Sequence, residues 1–172
     1  YSIEKGKELP EEVYREIVEE VLTKRAKLRA MHLLQKSDRT KAELVRKLQQ
    51  GGYPPRAVEE AVSYVESFHY IDDARYASLY AESQKDKKGR ARIKMELLRK
   101  GISPDLVQKA LEELEESSDA REIIRDLLGK KRKGTGAMEE KEKQRLYGFF
   151  MRKGFASSDI LAVFRESEQE NF

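Results

Sequence analysis

The sequence predicts an all-α protein built from a helical unit that occurs three times, and three observations carry that prediction. The first is the recurrence itself. The stretches Leu48 to Val58, Leu97 to Val107 and Phe150 to Ile160 each read as a helix end, a stopping glycine, a bulky apolar residue, a short turn and a second helix. Gly52, Gly101 and Gly154 fall in register, 49 and then 53 residues apart, as do Tyr53, Ile102 and Phe155. Self-similarity at this period marks stacked helical repeats, which offer a long surface suited to polymers or filaments. The second observation is composition. Charged residues make up 39% and apolar residues 38% of the 172, with only 4 Pro, and helix formers dominate. The third is that apolar residues recur near 3.6 and never at 2 over a useful length, so no sheet is expected.

Taken in order, Pro10 opens a long helix along which Val13, Ile17, Val21, Leu28, Leu33 and Leu34 keep roughly helical spacing. Thr40-Lys41-Ala42-Glu43 is a capping box, in which hydroxyl and carboxylate each take one orphan N–H. The helix it opens turns Leu44 and Leu48 inward and stops at Gly51-Gly52. Pro54-Pro55 starts the next, with Val58, Ala61, Val62, Val65 and Phe68 on one face. Asp72 caps a helix carrying Ala74, Ala77 and Tyr80, and Ser103-Pro104 opens another. Ser118 is expected to cap the helix through Ile123, Ile124, Leu127 and Leu128, with Gly129 ending it. Residues 129–138 read as a basic, mobile linker before a last repeat from about Met138 to Arg165. The total is about nine or ten helices, three per repeat, divided as an N-terminal extension (1–24), repeat 1 (25–71), repeat 2 (72–117) and repeat 3 (118–172).

Cysteine is absent, so no disulfide or thiol nucleophile is available and a reducing, cytoplasmic compartment fits. No apolar run approaches the ~20 residues a membrane span needs, and no signal peptide is visible. Enzyme chemistry has almost nothing behind it. His32 and His69 lack a ligand or triad context, and Asp72 and Asp73 are adjacent on a helix start, so they point apart. The Gly129–Gly136 stretch lacks the lysine before its hydroxyl residue and follows a helix, so it is not a phosphate loop. No cofactor and no metal is expected.

Net charge is only +3, but it is arranged in blocks. An acidic start gives way to basic residues, most densely from Lys85 to Lys100, and Lys130-Lys131-Arg132-Lys133 forms a second basic run. Lys88, Arg92 and Arg99 lie four and seven apart, one stripe of a helix, with Arg90 beside them. Their counterparts in the last repeat are Lys141, Arg145 and Arg152, all basic again. In the first repeat the same positions hold Arg39, Glu43 and Gln50. A solvated helix face accounts for such a stripe; a contact surface for an acidic polymer does so too. Of the aromatics, Tyr147 and Phe149 are kept as exposed contacts, and Phe150 aligns with the core positions Leu48 and Leu97.

Four stretches in the right order carry a family resemblance: Ser37 to Leu44, Tyr70-Ile71-Asp72-Asp73-Ala74-Arg75-Tyr76-Ala77, Gly89 to Ile93 followed by Glu96 to Ile102, and Arg152-Lys153-Gly154-Phe155. They cover about residues 25–165 and resemble the RecX family, small bacterial modulators of the RecA recombinase. The resemblance implies three tandem three-helix repeats in an elongated, curved molecule. It also implies a regulator that binds the RecA–single-stranded DNA filament and lowers its ATP hydrolysis, strand exchange and co-protease activity in recombination and the SOS response; a monomer suits a binder of the filament groove. Binding to single-stranded and to double-stranded DNA is implied as well. The matched cations Lys88, Arg90, Arg92, Arg99, Lys130, Lys131, Arg132, Lys133, Lys141, Arg145 and Arg152 are the expected contacts. Two other readings stay open: a helical DNA-binding protein with no RecA target, and a structural adaptor using the acidic helix around Glu112 to Glu116. The third repeat departs from the pattern, with Ser157 where the others have Pro55 and Pro104.

Overall fold

The computed structural model describes residues 3–115, 119–132 and 136–169, and among these every regular element is helical. In chain order they are α1 (Glu11–Glu16), a π-helical segment (Ile17–Leu22), α2 (Thr23–Lys36), α3 (Lys41–Gln50), α4 (Pro55–Ser67), α5 (Asp73–Gln84), α6 (Arg90–Arg99), α7 (Pro104–Glu115), α8 (Ala120–Lys131), α9 (Glu140–Arg152) and α10 (Ser157–Gln169). The fold is an all-α repeat fold with an N-terminal helix ahead of the repeats. The chain divides into two compact units, Tyr1–Tyr76 and Ala77–Phe172, with the division inside α5.

In unit 1, α2, α3 and α4 pack together. Ala26, Ala30, Leu33, Leu44, Leu48, Val58, Ala61, Val62 and Val65 are buried between them, and Ile71 closes the cluster. The long first helix departs from the expected register. Val21 and Leu28 are exposed, Leu28 to 67%, while Val18 is buried instead. The π-helical segment is the reason. It spaces its hydrogen bonds five residues apart, and Thr23 closes it with both its N–H and its hydroxyl on the Val18 carbonyl. One extra residue in the turn moves the apolar face one position along, from Ile17 to Leu22, then Ala26, Ala30 and Leu33. A continuous α register would have placed Val21 and Leu28 there. Phe68 also leaves the core face predicted for it and stands 54% exposed past the end of α4.

The recurrent glycine turn is built the same way each time. Gly52, Gly101 and Gly154 have φ of 79°, 82° and 87°. In each case the glycine N–H reaches back three residues, to Gln49, Leu98 and Met151. The next N–H reaches back five, from Tyr53 to Leu48, Ile102 to Leu97 and Phe155 to Phe150. This paired bond satisfies carbonyls that the helix end leaves open and folds the following apolar side chain back onto the core. Ile102 and Phe155 are buried as a result. The capping box forms as read, with Glu43 N–H on the Thr40 hydroxyl and Thr40 N–H on the Glu43 carboxylate, both at 3.2 Å. Asp72 caps α5 by accepting from Arg75 N–H at 2.9 Å.

In unit 2, Ile93, Leu97, Val107 and Leu111 are buried in the second repeat, where α6 packs on α7. The third repeat buries Ile124, Leu128, Met138, Leu146, Phe150, Ile160, Val163 and Phe164, with Phe155 and Phe164 meeting Phe150 edge to face. Arg121–Asp159 (3.1 Å) and Arg125–Glu166 (2.9 Å) tie α8 to α10 at the surface. Two expectations here are corrected. The side chain capping α8 is Asp119, which accepts from Arg121 N–H, whereas Ser118 lies outside the described residues. Gly129 does not end that helix, which runs on to Lys131. Gly129 is not among the positive-φ glycines, so it does not make the left-handed turn that follows α3, α6 and α9.

The two repeats of unit 2 meet backbone to backbone. Gly89 N–H donates to the Lys153 carbonyl at 2.8 Å. A Cβ on Gly89 would stand 2.1 Å from the Gly154 carbonyl oxygen, and one on Gly154 would stand 2.4 Å from the Arg92 nitrogen. The start of α6 and the end of α9 are therefore locked at a distance only glycine allows.

Candidate functional site

The basic residues singled out by spacing sort into two kinds once their surroundings are seen. Lys88 and Arg92 are engaged. Lys88 Nζ and Arg92 Nε each lie 2.8 Å from Glu96, and the Tyr80 hydroxyl donates to the same carboxylate at 2.7 Å. Burial would raise the Glu96 pKa, its side chain being only 15% exposed; hydrogen bonds from Lys88, Tyr80 and Arg92 outweigh it and hold the carboxyl at about 2. Lys88 and Lys100 also flank the Tyr80 ring, at 6.0 and 5.7 Å from its centroid. Arg90 turns to the Leu111 carbonyl at 2.9 Å. These side chains fasten α6 to α5 and α7. The cleft of about 400 Å³ beside them, lined by Lys88, Gly89, Arg90, Ile123, Phe155 and Asp159, sits at the junction of the two repeats.

Arg99, Lys141, Arg145 and Arg152 are the other kind. All four are exposed, and among the described residues none has an ion-pair partner. Arg99 and Arg152 hold the same place, the last residue of α6 and of α9, two residues before the left-handed glycine. Cations there sit well against the negative helix end. The match is poorer at the other end of the stripe. Lys141 lies inside the first turn of α9, whereas Lys88 precedes the glycine that caps α6, because α9 begins earlier relative to its glycine. In repeat 1 the stripe is broken for a visible reason: Glu43 is spent on the capping box.

The second basic run is divided likewise. Lys130 is exposed and pairs with Asp126 at 2.6 Å. Lys131 Nζ lies 4.4 Å from the centroid of the Phe149 ring, which Lys153 approaches at 5.5 Å. Arg132 is half-buried, 3.8 Å from Glu142 and donating to the Gly136 carbonyl. Lys133 lies outside the described residues. Phe149 and Tyr147 are half-buried rather than open, the Tyr147 hydroxyl bonding Ser157 Oγ at 2.8 Å.

Sequence reasoning missed the anchoring of Lys88 and Arg92, although Glu96 four residues after Arg92 was a readable signal. It also missed the exposed rings of Phe68 and Tyr70, for which the spacing gave no sign. Among the described residues no group of His, Asp or Glu is arranged to hold a metal, and no helix is long and apolar enough to cross a membrane.

Three tandem three-helix modules, with cations held outward at matching helix ends, define a helical-repeat protein whose relatives are regulators by name. The descriptions "RecX, first three-helix domain", "RecX, second three-helix domain" and "RecX, third three-helix domain" match residues 26–64, 72–111 and 119–164. Regulatory protein RecX of Caldanaerobacter subterraneus subsp. tengcongensis is 31% identical over 160 residues, covering 92% of this chain and 79% of the relative. Regulatory protein RecX of Clostridium acetobutylicum is 27% identical over 175 residues, covering 99% and 82%. The crystal structure of RecX from Lactobacillus salivarius superposes with a TM-score of 0.73 at 21% identity, covering 86% of this chain and 97% of that one, and shows the shared fold. The chain belongs to the RecX family of regulatory proteins.

Proposed function

We propose that this chain binds the RecA–single-stranded DNA filament and inhibits its ATP hydrolysis, strand exchange and co-protease activity, acting without catalysis, as a cytoplasmic monomer. One observation supports the reading most: Arg99, Lys141, Arg145 and Arg152 are exposed without an ion-pair partner among the described residues, on two modules of the same design. Each exposed contact is worth only about 0–1 kcal/mol. Several on one scaffold share a single ordering cost, so affinity climbs with the number engaged. Lys130 and Lys131 extend this surface, and Lys88, Arg90 and Arg92 position it. The test is RecA's single-stranded-DNA-dependent ATP hydrolysis during titration with the chain. Inhibition well below one molecule per RecA protomer supports the reading. No effect on RecA together with tight binding to bare DNA would instead favour a DNA-binding protein that uses the same cations directly.

A further inference from the structure

α9 carries a glycine that the fold does not ask for. Gly148 lies inside the helix and is not among the positive-φ glycines. A Cβ there would meet only Arg152 Nη1, at 3.3 Å, the movable end of a flexible side chain. Gly89 and Gly154 are different, since a Cβ on either collides with backbone. Gly129 also has open space around it, but it stands in the last turn of α8, where helices fray. A glycine inside a helix costs stability relative to alanine. At the equivalent position of α6, 53 residues earlier, the chain has Met95.

The bare backbone lies in the middle of the free cations. Lys141, Arg145, Gly148 and Arg152 fall within about 60° of one another around α9, with the glycine between the two arginines. Among the described residues none of the three cations has a carboxylate partner. Glu140 and Glu142 point about 100° to either side of Lys141, and Glu142 lies 3.8 Å from Arg132. On one flank Lys131 and Lys153 stand 4.4 and 5.5 Å from the Phe149 ring centroid. α6 offers no such ground, because Glu96 holds Lys88 and Arg92 and a methionine side chain stands in the glycine's place.

The ligand that gains from a missing Cβ is one whose charge belongs to its own main chain. A carboxylate of an acidic protein is carried on a side chain and reaches past a methyl group. A phosphodiester is fixed in the backbone of its polymer, so its distance from a helix is set by whatever projects between the two. At Gly148 nothing projects, and Arg145 and Arg152 stand on either side. The half-buried Phe149 ring, with Lys131 against it, offers bases no open face here, so the contact is to the strand's backbone.

We propose that α9 is a phosphodiester-binding face on which Gly148 sets the depth of approach and Lys141, Arg145 and Arg152 supply the charge. The proposal rests on the filament reading for the use of these cations, and gives this part of the surface to the DNA strand rather than to RecA. The test contains no RecA, so failure of one is distinguishable from failure of the other. The full chain, Gly148→Ala and Gly148→Met are titrated into fluorescein-labelled oligothymidylate and into a labelled polyglutamate peptide, with anisotropy as the readout. Urea denaturation of each variant runs alongside. Gly148→Ala should raise the urea midpoint yet bind oligothymidylate about fivefold more weakly, the loss of one exposed charge contact. Gly148→Met should weaken it further, and polyglutamate binding should stay the same for all three. Oligothymidylate binding by Gly148→Ala as tight as that of the unaltered chain overturns the proposal. So does an equal weakening toward polyglutamate, which would assign the face to acidic protein, or a lower urea midpoint, which would give the glycine back to the fold.

Discussion

Gly154 and Gly52 share a backbone conformation but not an environment, which makes them a matched pair. At Gly52 a Cβ meets nothing within 4 Å, so Gly52→Ala should cost only the left-handed strain, about 1–2 kcal/mol in urea denaturation. At Gly154 the same methyl collides with Arg92, so Gly154→Ala should cost clearly more, about 2–4 kcal/mol. Equal losses would mean that the junction yields. Glu96 gives a pH signature. Its folded pKa of about 2 lies below the ordinary value of 4.5, so the folded form holds its charge more firmly than the unfolded chain. The stability it adds is complete above about pH 4.5 and disappears as the pH falls toward 2. Glu96→Gln should lose up to about 3 kcal/mol at pH 7 and flatten the melting temperature between pH 4.5 and 2 relative to the unaltered chain. At this scale the local motifs were legible in the sequence. The capping box and the glycine turns depend on neighbours within six residues. The full anchoring of Lys88 and Arg92 to Glu96 was not legible, because Tyr80, on another helix, completes the site that holds them.

Among the elements, the π-helical segment shows why apolar spacing alone placed Val21 and Leu28 wrongly. Spacing assumes 3.6 residues per turn throughout, and one wide turn shifts every later residue by about 100°. Which turn widens is decided by packing of α2 on α4, which the sequence does not display. Deleting the exposed Glu20 should convert the segment to α-helix and leave both buried faces in place, with a stability loss of less than about 1 kcal/mol by urea denaturation. Deleting the exposed Arg29 from α2 should instead rotate Ala30 and Leu33 out of the core and abolish cooperative unfolding. Similar outcomes for the two deletions would contradict the role given to the wide turn. The helix order, by contrast, was readable throughout, because caps and prolines punctuate it; the boundaries that shifted are the start of α6, which leaves Lys88 outside, the end of α4 before Phe68, and the start and end of α8.

For the molecule as a whole, the matched cations predict how binding responds to salt. If Arg99 and Arg145 each neutralise a phosphate of single-stranded DNA, replacing both by Ala should reduce the slope of log affinity against log salt by about 1.4. Far-UV circular dichroism should be unchanged, since both side chains are exposed. An unaltered slope would remove them from the interface. The bond from Gly89 to Lys153 has a consequence in time as well as in space. Translation delivers Gly89 long before its acceptor, so the first turn of α6 emerges with that partner still unmade. The α6–α7 core can pack first, but the Gly89 N–H has no Lys153 carbonyl until α9 has been synthesised. A chain released after residue 131 should therefore exchange the amide hydrogen of Gly89 much faster than the full chain does, even with the α6–α7 core intact.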